Sequence, residues 1–131
     1  MIGGLAELVL VVRDVHASVR FYRDVLGLEL ERAHDDEWAW FRMPDGSRLA
    51  CTRARLLFSE HSPRTDLAED KRLAGPVHFA LRCEEPGPAL ERLKDAGVEV
   101  HGPTAFAWMG ARSWYAYDPD GNLAELWQPI S

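Results

Sequence analysis

"DPDGNLAELW" (residues 118–127) decides the reading of the chain, because a second stretch, "MPDGSRLACT" (43–52), opens in the same way. Each begins with a Pro-Asp-Gly turn and runs into a short apolar strand. The later copy sets Glu125 among apolar neighbours, four residues after its glycine, where the earlier copy has Ala50. A carboxylate at such a position is costly unless something compensates its charge. Its absence from the twin says that the role belongs to one half of the chain only.

Working outward, the two stretches prove to be the ends of two similar units. "ELVLVV" (7–12) reads as a buried strand. "HASVRFYRDVLGL" follows with Val19, Tyr22, Val25 and Leu26 on one helical stripe, Asp14 or Ser18 as N-cap and Gly27 as C-cap. Strands "LELERA", "EWAWFRM" and "SRLACTR" complete the first unit. The pattern restarts at "VHFALRC" (77–83), with a helix "GPALERLKDAG" (87–97), a strand "VEVHG" and the hairpin "RSWYAYDPDGNLAELWQ". Gly27 matches Gly97 at an offset of 70, and Gly46 matches Gly121 at an offset of 75. The expectation is an α+β fold of two tandem βαβββ modules forming a curved cleft. It is one domain over 1–131, with module one at about 5–53, a linker or loop at about 54–76 and module two at about 77–128.

The chain has 131 residues, 47% hydrophobic and 27% charged, which suits a globular domain with a real core. A net charge of −6 argues against nucleic acid, whose phosphates need a basic face. No membrane span and no secretory leader are legible, and Cys51 and Cys83 lack a paired spacing, so a cytoplasmic location is expected.

Aligning the halves at an offset of 71 matches Glu7 with His78, while Glu125 matches Ala50. A local two-fold would bring these four positions together, and three of them are metal-ligand types. Period-two alternation adds Val9, Val11, Ala80 and Leu123 to the same faces. Against this, Glu7 near the start of its strand also suits a salt bridge to Arg82 or Arg112.

"VRDVHASVRFYRDVLGLEL" and "DPDGNLAELWQ" resemble the first-helix motif and closing hairpin of the vicinal oxygen chelate superfamily, which includes glyoxalase I, bleomycin- and fosfomycin-resistance proteins, methylmalonyl-CoA epimerase and extradiol dioxygenases. The resemblance covers essentially the whole chain. It implies that His78 and Glu125 stand on metal-ligand positions and that Glu7 occupies a position where relatives carry His or Gln. The O/N/O donor set favours one divalent ion (Zn, Ni, Co, Mn or Fe(II)), and the expected base is a displaced ligand carboxylate (Glu7 ahead of Glu125), a metal-bound hydroxide or a loop residue. Ala50 departs from glyoxalase I, which has a glutamate ligand and base there.

The expectation is therefore a metal-dependent lyase or isomerase acting on a small oxygen-chelating substrate, and not glyoxalase I itself. The alternative is a metal-free binding protein that sequesters an aromatic molecule. Trp127, Trp38, Trp40 and Trp114 are the expected walls of the cleft, and Arg48 an expected anchor for an anionic substrate. His16, His34 and His101 read as solvated, and His61 as a residue of the 54–76 loop. A homodimer is expected, covering sheet edges and exposed aromatics such as Trp108.

Overall fold

The structure, a computed structural model, describes residues 1–53 and 77–130. The 54–76 connection and its His61 lie outside the described residues. The chain divides into two compact units, Met1–Gly75 and Pro76–Ser131.

The first unit is a four-stranded sheet in the order β1-β4-β3-β2, built from β1 (Glu7–Val11), β2 (Glu29–Leu30), β3 (Trp38–Arg42) and β4 (Arg48–Thr52). β1 runs parallel to β4; the other pairs are antiparallel. Helix α1 (Val15–Val19) continues as a π-helical segment, Arg20–Val25. Asp14, rather than Ser18, is the N-cap: its carboxylate accepts the backbone N–H of His16 and of Ala17. Leu10, Ala39, Phe41, Leu49 and Cys51 are buried, as are the helical residues Val15, Val19 and Tyr22, and the Tyr22 and Phe41 rings meet at 5.7 Å.

The second unit repeats the plan as β5-β8-β7-β6, from β5 (His78–Arg82), β6 (His101–Phe106), β7 (Ala111–Tyr117) and β8 (Leu123–Pro129), with helix α2 (Gly87–Asp95). Registers reproduce the duplication residue for residue. Glu7 faces Arg48 as His78 faces Leu123, and Trp40 faces Ala50 as Tyr115 faces Glu125. Both Pro-Asp-Gly turns close by the same bond, Gly46 N–H to Met43 O and Gly121 N–H to Asp118 O, with both glycines at positive φ.

Two strands differ from the sequence expectation. β2 is only Glu29–Leu30, not all of "LELERA". β6 begins at His101, where "VEVHG" suggests Val98, because the Val98 N–H is taken by the Leu93 carbonyl at the end of α2. It then continues through Pro103. Proline has no N–H to give a ladder, and β6 tolerates it as the edge strand, with its register shifting between His101 and Thr104.

Candidate functional site

Alternation along the second sheet sorts its side chains cleanly. Ala116, Ala124 and Leu126 are buried on one face. The other face carries His78, Ala80 and Arg82 from β5, Leu123, Glu125 and Trp127 from β8, and Ser113, Tyr115 and Tyr117 from β7.

On that face the carboxylate of Glu125 is held from two sides. Oε1 lies 2.8 Å from His78 Nε2, and Oε2 accepts the Ser113 hydroxyl at 2.6 Å. The Glu125 side chain is 8% exposed while His78 is 56% exposed, so the buried charge is reached from the imidazole side. Hydrogen bonds to both oxygens answer the cost of burying it. Tyr115, directly opposite Glu125, has its ring 6.2 Å from that of His78. Burial first, and then the nearby Glu125 charge, hold its phenol above the ordinary tyrosine range, so at neutral pH it is an O–H donor.

A further clamp fixes the start of β5. The Asn122 side-chain carbonyl accepts the Val77 N–H at 2.9 Å, and its amide donates to Asp118 Oδ2 at 2.9 Å. Asp118 Oδ1 in turn accepts the N–H groups of Asp120 and Asn122. Asn122 therefore ties the closing turn to the residue just before His78.

Of the residues expected from sequence, the second unit brings together His78, Glu125 and Trp127, with the Arg82 guanidinium 5.6 Å from the Trp127 ring centre. Trp114 falls on the opposite face, one residue out of phase with Ser113 and Tyr115, beneath the Arg112 guanidinium at 5.5 Å. In the first unit, Glu7, Arg48, Ala50, Trp38 and Trp40 share one face. Trp38 and Trp40 stack at 5.1 Å and 2°. Arg48 is engaged by Glu31 through two bonds of 2.6 and 2.8 Å. Within the second unit, Arg82 bonds to Glu84 and Arg112 to Gln128.

Ser113 and Tyr115 escaped the sequence reading as site residues. Their signal was there: once β7 is read as a hairpin partner of β8, period two puts both on the face of Glu125.

His78 Nε2 and Glu125 Oε1 are a nitrogen and oxygen donor pair suited to a borderline divalent ion, and Ser113 holds Oε2 so that Oε1 is the oxygen turned to His78. Among the described residues no group of three or more His, Cys, Asp or Glu side chains is gathered to hold a metal. The pair thus fits as two ligands of such a site.

Tandem βαβββ units, each a four-stranded mixed sheet with one helix-bearing βαβ crossover, define the class of fold. The chain belongs to the Glyoxalase/Bleomycin resistance protein/Dioxygenase superfamily, whose family model matches residues 4–126. It is similar to the catechol-2,3-dioxygenase of Bacillus subtilis (strain 168), 30% identical over 122 residues, 90% of this chain and 39% of that protein. The chain thus spans about two fifths of the length of that relative. It is also similar to the ethylmalonyl-CoA/methylmalonyl-CoA epimerase of Cereibacter sphaeroides, 31% identical over 110 residues, 78% of this chain and 77% of that protein. Among solved structures, a glyoxalase/bleomycin resistance protein/dioxygenase from Nocardioides matches with a TM-score of 0.71 at 30% identity, covering 100% of this chain and 86% of that one.

Proposed function

We propose that the protein is a divalent-metal-dependent enzyme of lyase or isomerase type, acting on a small substrate that chelates through two oxygens. The observation that carries this reading is the His78–Glu125 pair, 2.8 Å apart on one sheet face with the far carboxylate oxygen fixed by Ser113. His78, Glu125 and, from the first unit, Glu7 are the proposed ligands. A bound divalent ion would polarise substrate oxygens as a Lewis acid. The chain's own residues then divide the remaining work. Ser113 keeps Glu125 in one orientation, Tyr115 offers a neutral proton donor, and Glu7, exposed where Glu125 is buried, is the carboxylate proposed to move a proton. Trp127 and the Trp38–Trp40 stack offer flat apolar surface for the substrate body.

The homologues support enzyme chemistry of more than one kind, since one is named a dioxygenase and another an epimerase. A homodimer is part of the proposal. Trp108 is 82% exposed, and Met109 and Ile130, also exposed, lie close along the chain and across the Ile130 N–H to Gly110 O bond.

A second reading has one observation in its favour. The parallel Trp38 and Trp40 rings would serve a metal-free protein that sequesters a planar aromatic molecule.

The deciding measurement is elemental analysis of untagged protein after dialysis, followed by thermal shift with Mn, Co, Ni and Zn salts. About one equivalent per chain, lost in His78→Ala, supports the enzyme reading. Less than about a tenth of an equivalent, with no shift from any of the four ions, sinks it. Tight aromatic binding untouched by chelator would then favour the second reading.

A further inference from the structure

The first unit holds another grouping of metal-ligand side chains, away from the His78–Glu125 pair. His16, in the first turn of α1, and His34, ahead of β3, read from sequence as separate solvated residues. The fold brings them together: His16 Nδ1 lies 3.1 Å from His34 Nε2, with the rings edge to face at 5.0 Å. On its other side, His16 Nε2 lies 2.6 Å from Asp36 Oδ1. The three residues form a chain from carboxylate to imidazole to imidazole.

From this geometry we infer a second, solvent-facing cation site, in which His16 Nδ1 and His34 Nε2 bind one divalent transition-metal ion whose remaining positions are filled by water. Asp36 accepts the His16 Nε2–H, so His16 Nδ1 carries the lone pair and accepts the His34 Nε2–H in the ion-free chain. An ion takes the place of that proton, which passes to His34 Nδ1, the other tautomer of the same neutral ring. Two imidazole nitrogens, each about 2.0–2.1 Å from a tetrahedral ion, stand about 3.3 Å apart, close to the 3.1 Å seen here, so an ion is admitted by turning the two exposed rings until their lone pairs converge, with little change in separation. A carboxylate behind a ligating histidine is the usual orienting partner, fixing the tautomer and raising the basicity of the ring.

Both histidines sit on anchored backbone. Asp14 Oδ1 accepts the His16 and Ala17 N–H groups, and Asp35 Oδ1 accepts those of Glu37 and Trp38. Asp35, Asp36 and Glu37 follow His34 directly, and their charge raises the local concentration of cations. An imidazole pair selects Zn(II), Ni(II) or Cu(II) over Mg(II) or Ca(II). With two protein ligands and water the site exchanges its ion readily, unlike the site proposed at His78.

The experiment uses the full untagged chain in the His78→Ala background, so that the two sites are counted separately. Equilibrium dialysis against Zn(II) or Ni(II) should still find one equivalent bound. His34→Gln added to that background should weaken this equivalent at least tenfold, and Asp36→Asn by about 10–100-fold. In NMR spectra, Ni(II) should broaden the imidazole signals of His16 and His34 before those of His101. Binding as tight in His34→Gln as in its parent overturns the site, as does the absence of any bound ion at millimolar Ni(II) and Zn(II). Failure of the central metal site would show instead as no difference in stoichiometry between wild type and His78→Ala.

Discussion

Ser113 reaches Glu125 from the neighbouring strand but not from the facing position: Tyr115 is the register partner of Glu125, and Ser113, paired with Trp127, leans across to place its hydroxyl 2.6 Å from Oε2. The buried glutamate therefore keeps one oxygen tied down and presents the other to His78. Ser113→Ala leaves Oε2 buried without its donor. It should cost about 1–3 kcal/mol of stability in urea unfolding. It should also weaken divalent binding while every proposed ligand remains; an unchanged metal affinity would reduce Ser113 to a packing residue.

Asn122 links the closing turn to β5 through Val77, the neighbour of His78. Asn122→Ala removes a part-buried acceptor for the Val77 N–H and a buried donor to Asp118. A loss of about 2–3 kcal/mol is expected. Amide exchange at Val77 and Leu123 should rise together, and protection retained at both would refute the clamp.

Arg48 and Glu31 give a pH signature. The Arg48 hydrogen bond, the largest cause, holds the Glu31 carboxyl below the ordinary glutamate range. A lowered folded pKa adds stability that is complete above the unfolded value of about 4.3 and is lost as pH falls through the lower folded value. Melting temperatures of wild type and Glu31→Gln should accordingly differ by a constant amount at neutral pH and converge in acid. Parallel curves down to pH 2 would show that the pair does not act in this way.

Ala50 holds the register position that Glu125 holds in the second unit, facing Trp40 as Glu125 faces Tyr115. With no carboxylate there to shuttle a proton, the methylglyoxal–glutathione hemithioacetal should not be turned over. Steady production of lactoylglutathione by the purified protein would remove Ala50 from the argument.

Glu7 is tested by two substitutions. Glu7→Ala should weaken metal binding more than Glu7→Gln, since glutamine retains an oxygen donor. Titration with Mn(II) or Ni(II) measures both, and no effect from either change would leave Glu7 a surface carboxylate facing Arg48 across the β1–β4 pair.

The assembly is checked by sedimentation equilibrium. Wild type should run as a dimer at tens of micromolar, and Trp108→Arg should shift it towards monomer by placing a charge in an exposed apolar patch. A wild-type monomer at that concentration would reject the pairing.

The duplication was legible in sequence because it rests on local signals. The Pro-Asp-Gly turns need glycine at positive φ in Gly46 and Gly121, the helices end at Gly27 and Gly97, and alternation assigns side chains to faces. Those signals alone matched Glu125 to Ala50 and His78 to Glu7, and the registers agree with both matches. Tertiary structure decided what sequence spacing does not encode. Period two in the β7–β8 hairpin already sorts Ser113 from Trp114, but only the folded pair shows the Ser113 hydroxyl on Glu125 Oε2, and only folding of the first unit brought His34 to His16 across 18 residues. Local preference fixes turns and periodicity, while contacts between strands depend on register, and a side chain's partner is settled only once two distant segments pack together.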